Sequence, residues 1–150
     1  MNIGFACDHR GFKLKNELIK YFKENGYNVV DYGTDSDLSC DYVDYAYKLG
    51  QGILSNEVEF GVAICGTGIG MSIALNKIRG IYCAKVSNSD EAMHTRIDNN
   101  TNCIAIGEKM PLNNAIMAIE TFVTTEYSYL EKHNRRINKI KDIEKGIYRG

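Results

Sequence analysis

Between Phe60 and Ile64 the chain runs through apolar residues almost without a break, reaches Cys65, and then enters Gly66-Thr67-Gly68-Ile69-Gly70. A short apolar run without polar alternation is the pattern of a strand covered on both faces, and such strands belong to parallel sheets packed between helices. The glycines predict a tight turn, and Met71 to Lys77 resumes with a helical pattern. A strand that turns sharply into a helix leaves backbone N–H groups unpaired at the helix N-terminus, pointing into one small space. That space suits an anion, or an oxyanion that develops during a reaction. A cysteine stands at its edge.

The rest of the chain repeats the strand-to-helix theme. Asn2 to Cys7 reads as a strand ending in the polar group Asp8-His9-Arg10-Gly11. A helix follows from Phe12, with Leu14, Leu18 and Phe22 on one face, lysines on the other, and Asn25-Gly26 as its stop. Tyr27 to Asp31 is a second strand, and Asp41 to about Leu54 a helix whose stripe is Tyr42, Tyr45, Ala46, Leu49 and Ile53. Ile81 to Val86 predicts a fourth strand. Ser89 to Arg96 predicts a short helix with Asp90 and Glu91 at the positive end of its dipole. Asn102 to Ile106 completes five strands, and Pro111 opens a helix to about Thr125. In 150 residues this alternation predicts one α/β domain, a three-layer αβα sandwich around a five-stranded parallel sheet. Ligands of such sheets bind at the carboxyl ends of strands. Asp8-His9, Cys65 to Gly70, Ser87-Asn88 and Gly107 all fall there.

A last helix, about residues 131–147, comes after the sheet is complete. Ile137, Ile140, Ile143 and Ile147 form a narrow stripe among charged residues. The stripe is expected to pack on a partner subunit, with packing on its own domain as the alternative.

Composition narrows the function. With 18 basic against 19 acidic residues, nothing draws the chain to nucleic acid or an anionic membrane. No apolar run nears the roughly 18 residues of a membrane helix, and the start is not expected to act as a signal peptide. Five cysteines without close pairs fit reduced thiols in the cytoplasm. Cys7, Cys83 and Cys103 sit among apolar neighbours as small buried hydrophobes.

The glycine turn is not a nucleotide loop. It lacks the dinucleotide spacing, lies on the third strand, and carries no Gly-Lys-Ser or Gly-Lys-Thr. No His-x-x-x-His or Cys-x-x-Cys spacing supports a metal, and no cofactor is expected. Cys65 at a helix N-terminus is a candidate thiolate, able to act as nucleophile or base. Thiol hydrolysis would need a paired histidine, and the chain has only His9, His94 and His133. The turn's donors also fit another task, stabilising an enediolate while a base moves a proton between adjacent carbons. Thr67 offers a hydroxyl for a substrate or for capping the helix. Lys132, His133, Arg135 and Arg136 form a compact basic group that reads as a solvated face or as a phosphate site.

Taken in order, the motifs resemble the type B ribose-5-phosphate isomerases and the related galactose-6-phosphate isomerase subunits. They are Cys-Asp-His-Arg-Gly from Cys7, Asp-Tyr-Val-Asp-Tyr-Ala from Asp41, the stretch Cys65 to Lys77, Asn99 to Gly107, and Lys-His-Asn-Arg-Arg-Ile from Lys132. The resemblance implies a Rossmann-like sandwich without nucleotide or metal, assembled as a homodimer or dimer of dimers with active sites shared between subunits. It implies a phosphorylated sugar as substrate and Cys65 as the base moving a proton between C1 and C2. Thr67 and the N–H groups of Gly66, Gly68 and Gly70 would surround the enediolate. Asp8, Tyr42 and Asn99 would orient the open-chain sugar, with His9, Lys109 and Arg136 near its phosphate. Lys132, His133 and Arg136 would come from across the dimer.

The sequence departs from the family pattern at four positions. Asp98 stands where a ring-opening histidine is expected, and is not expected simply to take over that role; His9 or Thr67 are the alternatives. Lys109 and Lys132 replace arginines, keeping charge but losing the guanidinium fork. Val43 replaces a proline. The expected reaction interconverts ribose 5-phosphate and ribulose 5-phosphate. A six-carbon substrate, galactose 6-phosphate or allose 6-phosphate, is the alternative, followed by a non-catalytic sugar-phosphate-binding protein.

Overall fold

A computed structural model describes residues 1–150. Strands β1 (Asn2–Cys7), β2 (Asn28–Asp31), β3 (Phe60–Cys65), β4 (Cys83–Lys85) and β5 (Cys103–Gly107) form one sheet in the order β2-β1-β3-β5-β4. Every pairing is parallel. Helices α1 (Phe12–Glu24), α2 (Tyr42–Leu54), α3 (Ile69–Asn76), α4 (Ser89–Asn99) and α5 (Leu112–Thr124) cover it, and α6 (Glu131–Glu144) follows. The expected three-layer architecture is what forms.

Residue alternation along the strands divides the core. Ile3, Phe5, Val62, Ile64, Ile104 and Ile106 point to the face covered by α1, α4 and α5, where Leu18, Phe22, Ile119 and Phe122 meet them. Ala6, Ala63, Cys65, Cys103 and Ala105 point to the face covered by α2 and α3. Small residues there let α2 and α3 approach closely. Each large side chain fully buried in either layer contributes about 1.5–3 kcal/mol.

Two buried cations fasten the helices. Lys15 is completely enclosed, and its ammonium donates to Asp31 Oδ1 at 2.7 Å and to the Thr34 carbonyl at 2.6 Å. It ties α1 to the end of β2. Arg96 lies over the Phe60 and Phe122 rings, 5.1 and 5.9 Å from their centroids, and donates to the Thr101 and Thr125 carbonyls. It ties the end of α4 to α5.

Four elements have an end that differs from the sequence reading by two residues or more. Helix α3 begins at Ile69 instead of Met71, because Gly68 at φ 82° completes the turn alone. Helix α4 continues past Arg96 to Asn99, where Asn100 enters the left-handed region at φ 51°. Strand β4 is shorter than residues 81–86, since only Cys83 to Lys85 pair with β5. Helix α6 stops at Glu144, and the Ile147 N–H turns back onto the Asp142 carbonyl. Ile147 therefore lies beyond the helix.

Candidate active site at the switch point of the sheet

From β1 the chain crosses outward to β2, whereas from β3 it crosses the other way to β4. Neighbouring strands whose connections part in opposite directions leave a crevice at their carboxyl ends. Asp8 follows β1 and the glycine turn follows β3, so both line this crevice. Cys7 is in register with Ile64, which puts Asp8 beside Cys65 on strands about 4.8 Å apart.

Cys65 is 4% exposed, and its side chain belongs to the α2–α3 layer. The Gly68 N–H donates to its sulfur at 3.2 Å. This corrects one expectation, because the Gly68 donor is engaged within the turn. The N–H groups of Gly66, Thr67, Gly70 and Met71 have no acceptor in the chain; the first intrahelical bond runs from Ser72 N–H to Gly68 O. The Thr67 hydroxyl accepts from Ile69 N–H at 3.2 Å, so it caps α3 while remaining exposed. The Tyr42 ring, at the start of α2, packs on Gly70 so closely that an added methyl group would meet it at 2.8 Å.

Asp8 is 6% exposed and held by its backbone. Its Oδ1 accepts from Arg10 N–H at 2.9 Å and from Gly11 N–H at 3.2 Å. His9 Nδ1 accepts from the Cys40 N–H at 3.2 Å, so the neutral ring carries its proton on Nε2. Lys109 follows β5 and shares a cavity of about 310 Å³ with Gly66, Thr67, Gly107, Lys85 and Asn114. Sequence reasoning passed over Arg10, Glu108, Lys85 and Asn114 as site residues. Arg10 and Glu108 form an ion pair of 2.7 Å at the rim. Arg10 stood within the Cys-Asp-His-Arg-Gly motif after β1, and the signal of Glu108 was its position immediately beyond the tip of β5.

The remaining candidates lie elsewhere in the chain. Helix α4 runs back from the carboxyl end of the sheet over 11 residues, about 15 Å. It delivers Asp98 and Asn99 to the amino end, where Asn102 pairs with Gly80 and Tyr82. There His133 Nε2 approaches Asp98 Oδ1 at 3.5 Å, and His133 Nδ1 meets Ser128 Oγ at 2.7 Å. Lys132 and Arg136 are exposed and have no carboxylate partner. One chain thus brings together Asp8, His9, Tyr42, Cys65, Thr67, the turn glycines and Lys109, and leaves Asp98, Asn99, Lys132, His133 and Arg136 at the other end. No group of three or more His, Cys, Asp or Glu side chains is placed to hold a metal ion, and no helix is long and apolar enough to cross a membrane.

A parallel α/β sheet with a thiol, a buried carboxylate and free N–H donors at its switch point has the layout of a small-molecule site suited to an anion. Comparison with known proteins gives the particular family. The Ribose/Galactose Isomerase family model matches residues 3–140. Ribose-5-phosphate isomerase B of Escherichia coli is 38% identical over 95% of this chain and 95% of its own. The Clostridium thermocellum ribose-5-phosphate isomerase B structure superposes with a TM-score of 0.94 at 39% identity, covering 97% of this chain and 99% of that one. A Mycoplasma genitalium ribose-5-phosphate isomerase B structure with bound ribulose-5-phosphate gives 0.89 at 32% identity, covering 96% of each chain. The chain belongs to the ribose/galactose isomerase family. It is a sugar-phosphate isomerase of the aldose–ketose class, which sets the non-catalytic alternative aside.

Proposed function

We propose that the protein interconverts ribose 5-phosphate and ribulose 5-phosphate through an enediolate, with Cys65 as the base. One observation carries the reading: the Cys65 sulfur lies at the end of the central strand, touched by the Gly68 N–H, beside a turn with four unpartnered N–H groups. In the aldose-to-ketose direction the thiolate takes the C2 proton of the open-chain sugar. The C2–H electron pair forms the C1–C2 double bond, and the carbonyl electrons move onto O1. The free turn donors stabilise that oxyanion. The O2–H proton leaves as the C2 carbonyl forms, the thiol returns a proton to C1, and O1 is protonated. Asp8, fixed by two backbone N–H groups, orients sugar hydroxyls in this reading. The bound ribulose-5-phosphate of the M. genitalium relative favours the five-carbon substrate.

The same reading makes the active site a property of a homodimer. Asp98, Asn99, Lys132, His133 and Arg136 cannot serve Cys65 of their own chain, because the length of the sheet separates them. A second chain would bring them. Exposed apolar residues support this on α2–α3 (Val43 51%, Tyr47 58%, Ile73 58%) and on the α6 stripe (Ile140 45%, Ile143 60%). Asp98, beside His133 at the amino end, takes no ring-opening step; His9, with its Nε2 proton free, takes that role.

Replacing Cys65 with Ala tests the base. Turnover falls by about a hundredfold or more while the fold remains, as for loss of a general base. Near-normal isomerisation by that variant would remove Cys65 from the role. A coupled assay across five- and six-carbon phosphates tests the substrate. A preference of about tenfold in kcat/KM for a six-carbon sugar would overturn the pentose assignment.

A further inference from the structure

Arg10 is a cation at the switch point for which the proton transfer has no use. Its guanidinium lies across the glycine turn, where a methyl group at Gly66 would stand 3.4 Å from Cζ. Nε and Nη2 both donate to Glu108 Oε1, at 3.2 and 2.7 Å. Glu108 is anchored in turn by its own N–H, which donates to the Cys65 carbonyl at 2.9 Å and the Gly66 carbonyl at 3.3 Å. The pair therefore bridges the tips of β1 and β5 above the Cys65–Gly66 peptide.

The pairing leaves donors to spare. A guanidinium has five N–H groups, and the Glu108 contact uses two nitrogens of a side chain that is 55% exposed. Arg10 holds the Glu108 carboxyl below its ordinary range through the hydrogen bond, and the charges of Lys109 and His9 act in the same direction. One carboxylate thus sits among three groups that favour an anion. An exposed ion pair is held weakly, whereas a phosphate dianion can accept a guanidinium fork at two oxygens. Lys109 offers no fork. Arg10 supplies one, and the two cations line one cavity of about 300 Å³ with Glu108.

We infer that Arg10 is a phosphate-binding residue of this site, and that Glu108 holds its guanidinium in place until the phosphate monoester of the substrate displaces the carboxylate. This rests on the sugar-phosphate reading above. It adds a guanidinium donor from the same chain as Cys65, independent of anything a second subunit brings.

The test uses the full-length protein with Arg10→Ala, Arg10→Gln and Glu108→Gln, each checked for folding by circular dichroism. Ribose 5-phosphate is the substrate and inorganic phosphate the competitor. Both Arg10 variants should raise KM and the inhibition constant of phosphate by about fivefold or more, with the smaller part of the loss in kcat. Glu108→Gln should lower KM, because the phosphate no longer has a carboxylate to displace, and an unchanged KM would overturn the displacement. Smaller changes in both Arg10 variants would overturn the inference. So would a Glu108→Gln loss equal to that of Arg10→Ala, which would make the pair a structural brace. If the wild type isomerises no sugar phosphate, the functional reading fails by itself, and calorimetric titration with inorganic phosphate decides Arg10. Binding weakened about fivefold by Arg10→Ala upholds its role, and equal or absent binding in both proteins ends it.

Discussion

The two ends of the sheet carry candidate residues of similar chemistry but are built in different ways. At the carboxyl end, Asp8, Cys65 and Gly68 are buried and placed by strand register, and their hydrogen bonds run to backbone N–H groups or from them. At the amino end, Asn99, Lys132 and Arg136 project from helix surfaces into solvent, and His133, hydrogen-bonded to Ser128, stands 3.5 Å from a half-exposed Asp98. The first end is fixed by the backbone of its own chain, whereas the second leaves exposed side chains free to meet another surface, as the proposed homodimer requires.

The strongest way to break that contrast is to separate the halves genetically. Cys65→Ala and Arg136→Ala should each be inactive alone. Mixed under conditions that allow subunit exchange, they should recover up to about one quarter of wild-type activity, since a two-fold dimer then holds one intact site. No recovery after proven exchange would mean that both residues serve one chain, and the contrast would fall.

Backbone positioning can be tested at Gly68. Gly68→Ala forces an alanine to φ 82° and sets its Cβ 3.0 Å from the Ile106 carbonyl carbon. It should cost about 2–3 kcal/mol in urea unfolding and lower turnover as well. A variant of full stability and activity would show that the turn tolerates distortion.

Lys15 sharpens the point from beneath the site. Lys15→Met should destabilise by about 1–2 kcal/mol, because it leaves the Thr34 carbonyl without its donor while Asp31, half exposed, turns to water. Its effect on KM should be slight, measured on the folded fraction. The smallest effect belongs to Gly146→Ala at the end of α6. There φ is 75° with no atom near the new methyl group, so about 1 kcal/mol is expected and no change in turnover. A loss of activity there would tie the end of α6 to the site.

Much of the fold was legible because its signals are local. The unbroken apolar run at Phe60–Ile64, the helical stripes of α1 and α2, and the glycines after Cys65 each reflect forces acting within a few residues: side-chain periodicity, burial and turn sterics. These also brought the thiol to a helix N-terminus. Boundaries were less legible where one residue decided them, as Gly68 did for α3 and Asn100 for α4.

What the tertiary structure alone decided is which distant residues meet. The strand order β2-β1-β3-β5-β4 comes from packing two helical layers on one sheet, and no local pattern encodes it. That order sets Asp8 next to Cys65 and carries Asp98 away from it. It also joins Arg10 to Glu108 across 98 positions of sequence. The Gly68 N–H reaches the Cys65 sulfur only because the turn closes over the end of a buried strand. The sequence by itself determined the elements and the place of the thiol at the glycine turn, through short-range sterics and hydrophobic patterning. Register and layer packing decided the neighbours, because those depend on surfaces that exist only once the sheet has assembled.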